Sequence, residues 1–420
     1  MVVRPARWTD DYLDQEHLLA LREYRYSAVD LSPVSRYILR PWWEWVAARM
    51  PIWLAPNAIT LIGFMAIVFN VICVIVFLPD LEGPAPAILY FSFAAGLFFY
   101  QTMDNVDGKQ ARKTGTSSPL GELFDHGIDS LNCALGGLVQ AAAVGMGHTP
   151  LAAGMVVLAC WPMYLSAWEE YHTGTLYLGV INGPTEGLLL AMGVMLISAF
   201  QGPWFWQTTA DEALPGFLSS MVGADTRLEE VFMILVLLAL FVGHAPACLY
   251  NVYQVRNKHN LPYFDAVYQI MPMLVFTTSS LLWIISPYSS LLVDEYMVEF
   301  ALLLCPIFGQ ISTKIILAHL TKGEFPMITP AVWPLVAGCI LVNLPILGLP
   351  ELFTPILEQS FLHIGLAVSA LTYTRSSLEI VDRFCSFLEI SCLSIPYPGK
   401  PPAQHRRVAT MDRTIHVHAT

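Results

Sequence analysis

Charge is scarce in this sequence. Only 13% of its 420 residues are charged, while 55% are hydrophobic and the mean hydropathy is +0.55. A soluble domain carries about a quarter charged residues, so a soluble globular protein is excluded. Basic charge is scarcer still: 21 Lys and Arg stand against 33 Asp and Glu, a net charge of −12. That is the wrong sign for a phosphate backbone, and no nucleic-acid partner is expected. No CxxC pair occurs, and cysteines such as Cys73, Cys133, Cys160 and Cys305 lie within apolar runs. Neither a cysteine zinc site nor a disulfide framework follows. The stretch Met1 to Tyr26 has no apolar h-region, so the first membrane span is expected to serve as the targeting element.

What the chain has instead is long apolar runs. About ten are of spanning length, at 57–79, 86–106, 119–146, 149–169, 184–200, 230–255, 265–287, 297–320, 328–347 and 356–388. They predict an all-α polytopic membrane protein. With the N-terminus in the cytosol and ten spans, Lys109, Arg112, Lys113, Arg256, Lys258, Lys322 and the tail (Lys400, Arg406, Arg407, Arg413) all fall on the cytosolic side. The opposite side receives Arg227 among Asp211, Glu212, Asp225 and Glu230. This is the positive-inside bias, and it supports an even number of spans. Three regions are expected: a cytosolic N-terminal segment (1–56), a transmembrane domain (57–390) and a cytosolic basic tail (391–420). Within the first, Tyr37, Ile38, Trp42, Trp45 and Val46 recur at helical spacing among Arg36, Arg40 and Arg49. Aromatic and basic residues together suit an amphipathic helix lying in the headgroup layer.

Acidic residues concentrate in one stretch, QTMDNVDGKQARKTGTSSPLGELFDHGIDSLN, from Gln101 to Asn132. Ionisable groups beside membrane spans are costly and mark function. Asp104 and Asp107 are three residues apart and Asp125 and Asp129 four, so each pair shares a helix face. Thr114 to Ser118 reads as a turn, with Ser118 as N-cap and Pro119 at the first helical position. The second and third spans then form an antiparallel hairpin whose carboxylate pairs face each other. The small residues Gly108, Ala111 and Gly121 are expected to let the two backbones approach closely. Four carboxylates at one place require cations, and oxygen ligands select Mg²⁺, Mn²⁺ or Ca²⁺. Two such ions would clamp a pyrophosphate for in-line displacement, with Lys109 and Arg112 meeting the substrate's negative charge. An EF-hand is excluded: with Gly108 as its glycine, position one is Met103 and position twelve Thr114. A membrane cation transporter using the aspartates as its ion site is the alternative function.

These residues match a known pattern. Asp104, Asp107, Gly108, Ala111, Arg112, Gly121, Asp125 and Asp129 reproduce D-x2-D-G-x2-A-R-x8-G-x3-D-x3-D. The sequence thereby resembles the CDP-alcohol phosphotransferase family. The string PLGELFDHGIDS looks like its eukaryotic choline/ethanolamine phosphotransferase branch. Tyr24 to Ser27, Pro56-Asn57, WEEYHTGTLYLG (Trp168 to Gly179), Asn182 to Gly187 and Ile395 to Gly399 agree with it. The resemblance implies a ten-helix fold, usually dimeric, with the motif facing the cytosol at the endoplasmic reticulum or Golgi. It implies transfer of phosphoethanolamine or phosphocholine from CDP-ethanolamine or CDP-choline to diacylglycerol, releasing CMP. It assigns Asp104, Asp107, Asp125 and Asp129 to two Mg²⁺ or Mn²⁺ ions, and Gly108, Lys109, Arg112, Gly121 and Asn57 to the nucleotide. Asn57 after Pro56 reads equally well as a helix cap.

The acceptor hydroxyl also needs a base. Asp129 is one candidate, but a carboxylate bound to a divalent cation is a poor base. His126 is favoured, with Glu122 one turn earlier to orient it. Glu170 and Glu186 receive no firm role. The headgroup reading leans towards ethanolamine or dual use.

Overall fold

The computed structural model describes residues 13–180 and 182–395. The expected tail cations and most of the Ile395 to Gly399 stretch lie outside the described residues. Helices dominate, and each of the ten apolar runs coincides with helix. Six helices are long and apolar enough to cross a membrane: Pro56–Phe77, Pro150–Thr173, Gly183–Gln201, Leu228–Lys258, Tyr263–Ile284 and Met297–Thr321. The chain is thus a predominantly helical, multi-pass membrane protein. The other four expected spans differ for identifiable reasons. The helices Ala87–Thr114 and Pro119–Val144 carry the acidic stretch, and Pro355–Leu388 has Glu358, Gln359 and His363 within its apolar run. Trp333–Val342 stops after 10 residues.

We label the elements nearest the acidic stretch α1 (Gln15–Ala20), β1 (Ala28–Asp30), α2 (Arg40–Arg49), α3 (Pro56–Phe77), α4 (Ala87–Thr114), α5 (Pro119–Val144), α6 (Pro150–Thr173), β2 (Leu176–Leu178) and α7 (Leu188–Gln201). At about 1.5 Å per residue, the 22 residues of α3 cover about 33 Å, enough for a bilayer core. Helix Met297–Thr321 is the central post: 94% of its apolar window is buried, against 50% for α3. It packs on both α5 and α6. Gly63 lets α3 pass close to α4, since a Cβ there would lie 2.7 Å from Met103 Cβ.

One small sheet departs from the all-helical expectation. β1 and β2 pair in parallel, with Ala28 opposite Leu176 and Asp30 opposite Leu178. These extended segments line the cavity outside any helix, and their backbone groups satisfy each other. Side chains fasten the strap further. Ser35 Oγ donates to Asp30, and Ser32 Oγ donates to Glu186. Glu186 also accepts from the Asn182 amide at 2.9 Å, and Asn182 caps the turn that leads into α7. Glu186, left without a role by the sequence, therefore ties the N-terminal strap to α7.

The aromatic and basic segment before the first span is helical, ending in α2. Its Tyr37, Ile38 and Trp45 are exposed, whereas Trp43 is buried. Trp42 stacks between Trp45 and Phe98 and donates to Thr102 Oγ1 at 3.1 Å. The end of α2 is held by α4: Lys113 Nζ donates to the carbonyls of Ala47, Ala48 and Met50 at 3.0, 3.3 and 2.9 Å. A cation on the last carbonyls of a helix satisfies acceptors with no partner of their own. Replacing it with Met removes that cap and about 1 kcal/mol of local stability. Lys113→Met is expected to loosen α2, read as faster proteolysis after Arg49 and a red-shifted tryptophan emission. Unchanged proteolysis would show that the aromatic contacts alone hold α2.

Candidate active site

The site begins with the turn between α4 and α5. Gly115 ends α4 in the left-handed region, at φ 67°, where a side chain is disfavoured. Ser118 then caps α5, its Oγ accepting from the Gly121 amide at 3.2 Å, with Pro119 at the first helical position. The turn read from the sequence forms as expected. It folds α5 back beside α4 and brings the acidic faces together. Carboxylate oxygens of Asp104, Asp125 and Asp129 all lie within 4.8 Å of one another. Asp107 joins them from α4 as an electrostatic neighbour of Asp125. It is 7% exposed and accepts a hydrogen bond from Thr60 of α3. Asp129 accepts one from Tyr100 of α4. Sequence reasoning misses both Thr60 and Tyr100. Tyr100 lies one turn before Asp104, a spacing that carries the only hint.

Like charges at this separation repel by about 3 kcal/mol per pair at an effective dielectric near 20. Three such pairs rival the whole stability of a typical domain. Oδ1 of Asp104 and Oδ1 of Asp125 are buried without any hydrogen-bond donor. Converging, hard, unpartnered oxygens fit a divalent cation, so the donor set suits the metal expected there.

The aspartates open into a cavity of about 1750 Å³. Arg112, Lys109, Asn57, Gly108 and Gly121 all line it. A Cβ added at Gly108 would come no nearer than 3.5 Å to any neighbour, and one at Gly121 no nearer than 3.8 Å. These glycines therefore keep the chamber open, and they are not points of tight helix contact as expected. Lys109 Nζ lies 3.9 Å from Glu44 Oε1 on α2. Asn57 is not the cap of α3, because Ala55 holds that position. Its amide instead reaches Cys392 Sγ at 3.5 Å, and its buried side chain sits beside Gly121. From the strap, Tyr26 leans over the mouth, 54% exposed. Loss of water around its phenol, with the charges of Glu170, Asp125 and Asp104, raises its pKa well above the ordinary range. Away from the acids the cavity becomes apolar, with Met155, Leu158, Met195, Phe232 and Leu240 on its walls.

His126 follows Asp125 on α5 and is 7% exposed. The carboxylate paired with it is Glu170 of α6, whose Oε2 lies 3.7 Å from His126 Nδ1. Glu122, the expected orienting residue one turn earlier, accepts no hydrogen bond on either oxygen. Its carboxylate lies instead within 4.8 Å of Glu170 and His319. The neighbour supplied by the sequence-distant α6 thus takes the place expected of the i−4 neighbour. His319 is invisible to sequence reasoning because it sits almost 200 positions from the motif.

A polytopic bundle with a carboxylate cluster in an amphipathic chamber offers one site that can take a polar and a lipidic group together. Residues 53–210 match the family described as CDP-alcohol phosphatidyltransferase. The chain is 32% identical to choline/ethanolaminephosphotransferase 1 of Saccharomyces cerevisiae over 403 residues, which cover 91% of this chain and 98% of that protein. It is 34% identical to choline/ethanolaminephosphotransferase 1 of Arabidopsis thaliana over 310 residues, 74% and 79% of the two chains. Ethanolaminephosphotransferase 1 of Mus musculus is 29% identical over 404 residues, 93% and 96% of the two. The chain belongs to the CDP-alcohol phosphatidyltransferase family. The cation-transporter alternative finds no support among these relatives.

Thr60 gives a test of how the cluster is held. A partner that orients a metal ligand typically contributes 10–100-fold in affinity or activity. Thr60→Val is expected to raise the Mg²⁺ concentration needed for half-maximal activity about 10-fold, with saturating activity largely retained. An unchanged Mg²⁺ dependence would show that Asp107 is positioned without it.

Proposed function

We propose that this enzyme transfers phosphoethanolamine, phosphocholine or both from the CDP-alcohol to diacylglycerol, giving the phospholipid and CMP. The observation that carries the reading is a chamber that joins a converging set of aspartate oxygens to an apolar arm. The first suits a diphosphate with its cations, the second a pair of acyl chains. Asp104, Asp107, Asp125 and Asp129 would hold two Mg²⁺ or Mn²⁺ ions, with Asp107 set by Thr60 and Asp129 by Tyr100. When bound, these ions supply charge neutralisation across the diphosphate. Arg112 and Lys109 face the phosphates, and Asn57, Gly108 and Gly121 shape the nucleotide end.

In the reaction, the diacylglycerol oxygen forms a bond to the phosphorus that carries the alcohol. The bond from that phosphorus to the bridging oxygen breaks, and CMP departs with that oxygen. The hydroxyl proton must leave as the new bond forms. His126 takes it on Nε2, since Nδ1 faces Glu170, whose carboxylate stabilises the imidazolium. Glu122, next along the same face, lines the chamber beside them. Tyr26 lines the mouth of the chamber. The membrane arrangement completing this reading has ten spans in residues 57–390. An interfacial helix precedes them and a basic tail follows. The chamber mouth faces the cytosol at the endoplasmic reticulum or Golgi, and the protein is a homodimer.

The measurement is CMP release from CDP-ethanolamine and from CDP-choline in detergent, with diacylglycerol and Mg²⁺. Both phospholipid and CMP should form in equal amounts; CMP without lipid product would identify a hydrolase. Asp107→Asn is expected to abolish turnover in protein that still inserts. His126→Ala is expected to lose 10²–10⁴-fold in kcat while still binding CDP-alcohol and metal. Normal turnover in His126→Ala, with Asp129→Asn inactive but metal-loaded, would make Asp129 the base.

A further inference from the structure

A second group of ligand-type side chains begins one turn of α5 before Asp125 and shares no residue with the aspartate cluster. Glu122 of α5, Glu170 of α6 and His319 of the central helix Met297–Thr321 present atoms that all lie within 4.8 Å of one another. They come from three helices, so bundle packing and not local sequence assembles them. Glu122 is 8% exposed and Glu170 4%. Both oxygens of Glu122 are buried without a hydrogen-bond partner, as is Nδ1 of His126. That nitrogen is 3.7 Å from Glu170 Oε2. Tyr24 of the strap closes the group from above, its ring edge-on to His319 with centroids 6.2 Å apart. Among the described residues, no Lys or Arg forms a salt bridge with either glutamate.

Two buried carboxylates with no basic partner are unstable as they stand. Their donor chemistry differs from that of the aspartate cluster. All-oxygen sets suit Mg²⁺, whereas imidazole with carboxylate suits Zn²⁺ and its transition-metal neighbours. We propose that Glu122, Glu170 and His319 form a separate site for a transition-metal dication of the Zn²⁺ class, and that its occupation inhibits transfer. The inhibitory part rests on His126 being the base. A dication held by Glu170 takes up the carboxylate that lies 3.7 Å from His126 Nδ1, so the imidazole loses the neighbour that positions it. No covalent step is involved. The enzyme would then be active with Mg²⁺ in the aspartate cluster and slowed when Zn²⁺ fills the glutamate–histidine site.

The experiment uses the full-length enzyme in detergent, with any affinity tag removed, and Zn²⁺ as probe at saturating Mg²⁺. Bound zinc is counted by mass spectrometry after equilibrium dialysis. Asp104→Asn should keep the same zinc count as wild type, and His319→Gln and Glu170→Gln should each lose one equivalent. The zinc K-edge spectrum of the wild type should show imidazole scattering. CMP release by the wild type should fall at least 10-fold with zinc, and His319→Gln should resist that inhibition at least 10-fold better. Size-exclusion profiles confirm that the variants fold, and the spectrum tests the site without any variant. The proposal is overturned if the lost equivalent follows Asp104, or if the spectrum shows oxygen ligands alone. It is equally overturned if Glu170→Gln keeps its zinc but raises KM for CDP-ethanolamine alone, which would make the pair an ammonium subsite. Zinc binding with an inactive wild-type enzyme would count against the transferase reading and leave the metal site standing.

Discussion

Mutual repulsion among carboxylates, in helices that cannot offer them water, is the constraint on which this structure depends. The backbone of a membrane helix satisfies its own hydrogen bonds, so α4 and α5 can carry acids only where the acids find partners or counter-ions. The partners come from the helices around them. Thr60 reaches Asp107 from α3, and Tyr100 of α4 reaches across to Asp129 of α5. The oxygens left over, on Asp104 and Asp125, belong to side chains that line the chamber. The electrostatics of the chamber are thus incomplete in the protein alone, and the converging oxygens suit a divalent cation.

The hairpin is legible in the motif itself. Spacings of three and four residues put the acids on facing surfaces, and Ser118-Pro119 marks where the chain turns back. Local signals of this kind survive in sequence because they depend on neighbours within one turn of helix. Spans are legible as apolar runs, yet the helices that carry the chemistry have the polar content that weakens such a signal. What sequence cannot convey is whatever depends on packing between distant elements. Glu170 pairing with His126, His319 meeting Glu122, and the strap paired with β2 all join residues separated by dozens to hundreds of positions. The role expected of Glu122 shows the same limit, since a residue one turn away is the only partner that the sequence offers. Gly108 and Gly121 show its converse: small residues in a membrane hairpin suggest close contact, and the fold uses them for an opening.

The chamber also explains why the N-terminal segment is folded across the bundle. The acids need a low-water setting for their electrostatics to act strongly, while a CDP-alcohol must arrive from water. A strap of two short paired segments closes part of the opening without burying unsatisfied backbone. It places Tyr26 over the carboxylates and Tyr24 against His319. Its anchor on Glu186 ties it to α7, which also lines the apolar arm. Polar mouth and lipid arm therefore share one structural element.

The grip of Lys113 on the end of α2 has a mechanical meaning. Lys113 sits on the last turn of α4, one residue past Arg112 and a turn and a half past Asp107. The segment it holds exposes Tyr37, Ile38 and Trp45. A lateral force on α2 is therefore delivered to the same helix end that carries Arg112 into the chamber wall.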